Sequence, residues 1–174
     1  MDEILKYKDA KDRCYGVTGM AISMVALDGE ELLQSLTIED GHESVELAPE
    51  YYFMGNPRYS ARLAWNQILQ HFTLTTAMAI GNLMCRRYVL HGESISKSVA
   101  RALMDEVKDD GRAACSLDDD EIESIFTRNF NYLHRLFTHQ GVQTVAHDFA
   151  RTLSERRTLS RADVVEELRA LSLL

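Results

Sequence analysis

The pattern of apolar and polar positions is helical over most of the chain after residue 55. Apolar side chains recur every three or four positions behind a helix start predicted at Asn56 and Pro57. The recurring residues are Ala61, Ala64, Trp65, Ile68 and Phe72. From Leu74 to Met84 the chain is almost continuously apolar, which predicts a buried central helix near residues 74 to 88.

This central helix is expected to be interrupted. One helix over residues 57–91 would be about 50 Å long, which is unusual in a small domain. We therefore expect a break or kink near Thr73 to Thr76. Arg86 and Arg87 lie where a helix dipole favours cations, and Gly92 is predicted to end the helix.

Two further helices are predicted from apolar periodicity and capping residues. The first follows Ser94 and stops at Gly111. Its apolar residues, spaced by four, are Ile95, Val99, Leu103 and Val107. The second begins at a capping box of Asp118 and Glu121, and Gly141 is predicted to end or bend it. Its apolar stripe consists of Ile122, Ile125, Phe126, Phe130, Leu133 and Phe137.

The C-terminal part of the chain adds two more predicted helices. One covers residues 142–153 and the other covers residues 160–171. Ser160 is a favourable cap for the last helix, and Asp163 lies in its first turn. The sequence therefore predicts five or six helices after residue 55.

The N-terminal part predicts a small β meander. Asp28-Gly29 and Asp40-Gly41 are tight-turn dipeptides between partly alternating runs. Leu36 and Ile38 would share one face of a strand, and Val45 and Leu47 would share one face of the next. A short helix from Glu30 to Leu36 is the alternative, because its apolar positions also fit a helical spacing.

These elements predict a mainly α fold. We expect a multihelical bundle of five or six helices around a buried central helix, with a small acidic β meander possible at the N-terminal side. Residues 1–174 are expected to form a single domain, made of an acidic N-terminal element over residues 1–55 and a helical body over residues 56–174. A chain of this length can bury roughly 70% of its unfolded surface in one core.

The negative charge of the chain is concentrated in one segment. Between Arg13 and Arg58 there is no Lys or Arg, but there are eight carboxylates, which equal the whole net charge of −8. Such a surface repels phosphate backbones and attracts basic partners. We expect six of these carboxylates to be exposed, unpaired and able to bind a partner. They are Glu30, Glu31, Glu39, Asp40, Glu43 and Glu46.

The cysteine content and hydropathy predict a soluble cytoplasmic protein. Cys14, Cys85 and Cys115 are odd in number and form no CxxC pair, so a disulfide framework or a zinc knuckle is not predicted. No apolar run approaches the roughly 20 residues of a membrane span. No phosphate loop, dinucleotide fingerprint, calcium loop or serine-hydrolase motif is present, so no cofactor is predicted.

The richest group of potential metal ligands is His134, His139, His147 and Asp148. The first two histidines are five residues apart on one predicted helix and project in different directions, so His134 and His147 are not expected to share a ligand. The dipeptide His147-Asp148 resembles the metal-binding signature of HD-type phosphohydrolases. The resemblance implies an upstream histidine, which His71 or His91 could provide, and a distant aspartate. Asp163 could provide the aspartate.

The stretch from Arg156 to Val165 resembles the second loop and third helix of the histone fold. In that fold, basic residues precede a short extended pair and an Asp opens the helix. Arg151, Arg156, Arg157 and Arg161 make a local basic patch. Nucleic acid is still an unexpected ligand, because the chain carries a net charge of −8 and the patch has no interleaved aromatic residues.

Two classes of function agree with these patterns. The first is a non-enzymatic interaction or regulatory protein, which binds a basic partner or associates with itself. The alternating charge of the later segments, +5 over 58–101, −7 over 102–123 and +4 over 124–161, supports this class. The alternative is a metal-dependent, HD-like hydrolase with ligands between helices.

Overall fold

The fold was analysed in a computed structural model that describes residues 5–52 and 61–173. The predicted helix start at Asn56 and Pro57 lies outside the described residues, as does Arg58. The mainly α, multihelical prediction is confirmed. Seven α-helices and one three-stranded sheet lie within the described part of the chain.

Two long helices form the centre of the molecule. Helix α1 covers Ala10–Ala26 and helix α3 covers Ala61–Met84. The predicted central helix is confirmed, since Leu74, Ile80 and Leu83 are at most 2% exposed. It shares the core with α1, whose Val17 and Ile22 are fully buried. The sequence analysis assigned no helix to residues 10–26, and this segment belongs with the helical body because it packs along α3.

Small residues allow these two helices to approach closely. A Cβ atom added at Gly19 on α1 would overlap the Gly81 carbonyl oxygen on α3. A Cβ atom at Gly81 would in turn overlap the Ser23 side chain. Gly19 therefore serves helix packing and no phosphate loop.

The predicted break near Thr73 to Thr76 is wrong. Helix α3 runs through these residues without interruption, and the irregularity lies further on, in a π-helix over Cys85–Leu90. The Thr75 hydroxyl is satisfied within this helix, because it donates to the His71 carbonyl oxygen one turn earlier, at 2.9 Å. The π-helix ends before Gly92, which has a φ of 64° and confirms the predicted end.

The π-helix places Arg86 inside the protein and leaves Arg87 at the surface. Arg86 is 4% exposed and donates from Nη2 to Asp12 Oδ2 at 2.6 Å. The same guanidinium donates to the carbonyl oxygens of Leu5 and Lys6, at 3.0 and 2.6 Å. Arg86 thus fastens the segment before α1 to the end of α3.

Three helices cover the central pair. Helix α4 covers Lys97–Cys115, α5 covers Asp119–Thr138 and α6 covers Gln140–Arg156. The capping box of Asp118 and Glu121 is confirmed. The predicted end of α4 at Gly111 is wrong, because the helix continues to Cys115. Gly111 packs closely against the side chains of Ile122 on α5 and Phe72 on α3, where a larger residue would not fit. The chain turns at His139, so Gly141 lies in the first turn of α6. The predicted stripe of α5 is buried except for Phe130, which is partly exposed.

A small sheet joins the two ends of the chain. Strand β1 covers Leu33–Thr37, β2 covers Val45–Leu47 and β3 covers Thr158–Ser160. The order is β2-β1-β3, and both pairings are antiparallel. The sheet is therefore no meander, because its third strand comes from residues after α6. The predicted buried face of Leu36, Ile38, Val45 and Leu47 is confirmed. The proposed helix from Glu30 shrinks to one 3-10 turn over Glu30–Leu32.

Short helices complete the fold. Helix α2 covers Pro49–Tyr52, and α7 covers Arg161–Glu167, followed by a 3-10 segment over Arg169–Leu173. The predicted cap is confirmed, because Ser160 and Asp163 form a reciprocal capping box at the start of α7. The hydrogen bonds from Ser160 and Arg156 lower the pKa of Asp163 to about 2.

Candidate functional site

The solvent face of the small sheet forms an open acidic groove. Because side chains alternate along a strand, the burial of Leu36 directs Ser35 and Thr37 to the opposite face. The groove has a volume of about 470 Å³. Its lining consists of Ser35, Thr37, Glu39, His42, Glu43, Glu46 and Thr158, which we call the sheet groove.

Hydrogen bonds between neighbouring strands fix the polar side chains of the sheet groove. Ser35 Oγ donates to Glu46 Oε2 at 2.7 Å, and the Thr37 and Thr158 hydroxyls are 3.0 Å apart. The Glu39 amide donates to Thr37 Oγ1 at 3.1 Å. The groove is therefore lined by carboxylate and hydroxyl oxygens whose positions are fixed by hydrogen bonds to one another and to the backbone.

Three of the six carboxylates that were predicted to be unpaired form ion pairs, so that expectation is wrong for them. Asp40 accepts from Arg13 at 2.8 Å and Glu39 accepts from Arg157 at 2.8 Å. Glu31 lies 3.4 Å from Arg161. The cations come from α1 and from residues 157–161, which are distant in sequence. Arg86 and Arg87 pair elsewhere, with Asp12 and Glu93.

The other three carboxylates differ in their surroundings. Glu43 and Glu46 are exposed and line the sheet groove. Glu30 lies in the 3-10 turn before β1 and is partly buried, and its Oε2 atom is buried without a hydrogen-bond partner among the described residues. The groove therefore contains Glu39, Glu43 and Glu46, whereas Glu30, Glu31 and Asp40 lie outside its lining.

The histidines are dispersed over different contacts. His134 packs edge-on against the Tyr88 ring, and His139 lies at the turn between α5 and α6. His147 Nδ1 is 2.7 Å from the Tyr15 hydroxyl. His71 contacts the Tyr51 carbonyl oxygen, and His91 lies 3.4 Å from Asp12 Oδ1.

The structure does not bring the candidate metal ligands together. Within residues 5–52 and 61–173, no three His, Cys, Asp or Glu side chains are grouped so that they could hold a metal ion. Asp148, next to His147 in the sequence, accepts from Arg151 at 2.7 Å. Asp163, the other aspartate of the HD-like set, caps α7 and pairs with Arg156.

Cys14, Cys85 and Cys115 are buried. Burial raises the pKa of Cys14 to about 11, although the charge of Arg157 lowers it slightly. Burial also raises the pKa values of Cys85 and Cys115. All three are free thiols, in line with the prediction of no disulfide framework.

Sequence reasoning missed the basic partners and the hydroxyl groups of the sheet groove. Thr158 reaches the groove, and Arg157 reaches Glu39 beside it, only because β3 pairs with β1, and Thr158 is 121 positions from Thr37 in sequence. The signal that could have found them is the short polar strand pattern Thr158-Leu159-Ser160, with one apolar residue between two hydroxyls.

No described helix combines the length and the apolar character needed to cross a membrane. No protein-family model, no curated protein and no solved structure matches this chain.

Proposed function

We propose that this protein is a non-enzymatic, cytoplasmic interaction or regulatory protein that binds a basic peptide segment of a partner in the sheet groove. The observation that carries the proposal is the placement of Glu39, Glu43 and Glu46 along one open groove. A lysine- or arginine-rich segment complements this lining in charge and in hydrogen-bonding capacity.

The local charge balance supports a cationic partner. Among the residues that the structure describes, the lining includes three carboxylates and no Lys or Arg. Of the three, Glu39 shares an exposed ion pair with Arg157, at 2.8 Å. An exposed pair of this kind contributes little to folding, so Glu39 can exchange its partner at small cost.

The hydroxyl groups support an extended bound segment. Ser35, Thr37 and Thr158 lie on the adjacent strands β1 and β3 and line the groove together with the carboxylates. They can donate to, or accept from, the backbone of a peptide that lies across the strands. Charged groups would then set the rate and salt dependence of binding, and the hydroxyls would set its position.

The test uses a fluorescent eight-residue peptide of alternating lysine and serine, with binding followed by fluorescence anisotropy. The wild-type protein should bind this peptide and lose affinity when salt rises from about 50 to about 300 mM, because exposed charges are screened. The Glu43→Gln/Glu46→Gln variant should bind about five- to tenfold more weakly, because two groove charges are removed.

The matched control is Asp105→Asn/Asp120→Asn, which removes the same number of exposed charges outside the groove. Its affinity should stay close to wild type. Equal weakening in both variants would show that the peptide follows net charge alone, and the sheet groove would lose its assignment. A peptide of alternating glutamate and serine should not bind at all.

A further inference from the structure

A second cavity lies between α1 and α6, on the side of β1 away from the sheet groove lining. Its volume is about 440 Å³. Lys11 and Tyr15 reach it from α1, and His147 and Arg151 reach it from α6. We call it the α1–α6 cavity.

A hydrogen-bonded pair of rings forms one wall of the α1–α6 cavity. Tyr15 Oη and His147 Nδ1 are 2.7 Å apart, and the two rings meet edge to face with centroids 5.6 Å apart. Burial raises the pKa of the Tyr15 phenol, and the nearby Cys85 and Cys14 add to the shift, so Tyr15 stays protonated at neutral pH. When Tyr15 donates to Nδ1, the neutral His147 ring carries its proton on Nε2 and can donate a second hydrogen bond.

Among the described residues, the side chains that line the cavity include more cations than carboxylates. Lys11, Arg151 and Arg157 line it, together with one carboxylate, Glu155. This gives a formal excess of two positive charges, whereas the chain carries a net charge of −8. Both arginines are also paired with carboxylates outside the lining, so Lys11 is the lining cation that forms no ion pair with another described residue. An anion that enters the cavity is attracted to Lys11 first.

The two arginines already donate hydrogen bonds within the protein, and Arg157 also donates from Nη2 to the Ile38 carbonyl oxygen at 3.4 Å. Arg151 donates from Nη2 to Asp148, and Arg157 donates from Nε to Glu39. Asp148 and Glu39 are not among the residues that line the cavity. A guanidinium has five N–H donors, so each arginine can hold its carboxylate and still bind an anion.

The floor of the cavity is apolar. It is made by Ala10, Cys14, Ile38 and Ala150. The Cys14 thiol donates to the Ala150 carbonyl oxygen at 3.2 Å, so it presents no free polar group of its own. A ligand that fills this cavity therefore needs an anionic group near Lys11 and His147 and a small apolar body against the floor.

We propose that the α1–α6 cavity binds a small organic phosphate monoester. A phosphate monoester carries nearly two negative charges at neutral pH, which match the charge excess of the lining. Lys11, His147, Arg151 and Arg157 supply donors to its oxygens, and the apolar floor receives its organic part. The cavity and the sheet groove share no lining residue among the described ones, although Arg157 of the cavity pairs with Glu39 of the groove at 2.8 Å. The phosphate proposal does not rest on the proposed peptide binding.

The test is isothermal titration calorimetry with phenyl phosphate as the probe. The wild-type protein should bind it saturably with a Kd at or below about 1 mM at low salt. Lys11→Met and His147→Gln should each weaken binding about tenfold, because each removes one charged or strong donor. Lys97→Met is the control, since it removes an exposed positive charge on α4, a helix that contributes no described residue to the lining of the cavity.

The outcomes separate this proposal from its alternatives. Retained affinity in Lys97→Met, with loss in Lys11→Met and His147→Gln, supports the site. Benzoate has a similar apolar ring but a single charge, so binding as tight as that of phenyl phosphate would overturn the phosphate assignment. Absence of saturable binding, or equal weakening in all three variants, would overturn the site itself. Because Lys11 is exposed on α1, Lys11→Met should fold even if His147→Gln does not.

Discussion

At the scale of single residues, Arg86 differs most from its sequence-based interpretation. The sequence places it near the end of a helix, where a solvated cation is expected. In the structure it is 4% exposed and bonded to Asp12, which is 1% exposed. No local pattern could reveal this pair, because its members are 74 positions apart.

Arg86→Met should destabilise the protein by about 3 to 5 kcal/mol, because Asp12 would stay buried without its positive partner. The carbonyl oxygens of Leu5 and Lys6 would lose their donor as well. Urea unfolding monitored by circular dichroism measures the loss. The control is Arg87→Met, which removes an arginine at the next position whose ion pair is exposed, and it should change stability little. Equal effects in both variants would contradict the buried pair.

The same pair predicts a loss of stability in acid. Burial alone would raise the pKa of Asp12, but the hydrogen bonds from Arg86 and the Lys8 amide, with the Arg86 charge, outweigh burial and lower it. A lowered native pKa means that the contribution is present above the unfolded value, about 3.9, and is lost as pH falls through the native value. Unfolding free energies measured from neutral pH down to that range should fall, and Asp12→Asn should flatten this dependence.

Leu83→Ala should cost about 2 to 5 kcal/mol through lost burial and a residual cavity. Leu83 is 2% exposed and lies on α3 among core residues, as the uninterrupted apolar run predicts. The loss is measured by chemical denaturation, with exposed Val165→Ala as a control that should be almost neutral. A loss well under ~1 kcal/mol would show that the α3 face near Leu83 is not part of the core.

At the scale of elements, local signals predicted helix starts better than helix ends. The capping boxes at Asp118 and Ser160 were identified because their partners lie three residues away. Gly111 and Thr73 to Thr76 were misread as breaks because tertiary packing overrides weak helix propensity. The apolar periodicity and capping residues do not distinguish the π-helix at Cys85–Leu90 from a continuing α-helix.

Gly19→Ala should destabilise the protein by about 1 to 3 kcal/mol, because the new methyl group would overlap the backbone of α3. The loss is diagnostic, because alanine by itself favours an exposed helix by about 1 kcal/mol. Gly16→Ala on the same helix is the matched comparison. The nearest atoms that its new methyl group would meet belong to the side chains of Tyr7 and Asn82, and side chains can shift more easily than backbone, so its cost should be smaller. The denaturation midpoint should therefore fall further in Gly19→Ala than in Gly16→Ala, and equal midpoints would contradict the close approach of α1 and α3 at Gly19.

At the scale of the whole molecule, the sheet was the part that sequence could not assemble. The buried positions of β1 and β2 were predicted from their alternation, but their neighbour β3 is contributed by residues after α6. The ion pairs of the acidic N-terminal segment could not be predicted from the sequence either. Asp40, Glu39 and Glu31 pair with Arg13, Arg157 and Arg161. The first of these arginines precedes the acidic segment in sequence, and the other two follow it by more than 100 residues.

Leu159→Ala tests whether β3 supports the distant strand. Leu159 is fully buried and pairs with Leu36, so its truncation should cost about 2 to 5 kcal/mol. Hydrogen exchange adds a local readout at Ile38, whose amide donates to the Arg157 carbonyl oxygen at 3.0 Å. Protection at Ile38 should fall with global stability. Unchanged protection would mean that β1 is held without β3.

The pairing of β1 with β3 also sets an order of events during synthesis. The Thr37 and Thr158 partners are 121 positions apart, and a ribosome adds about 5 to 20 residues per second. For several seconds, therefore, β1 has an unpaired edge beside an apolar face that already contains Leu33 and Leu36. Closure of so long a loop slows folding, and the open edge is the place where a nascent chain could pair wrongly with a neighbour.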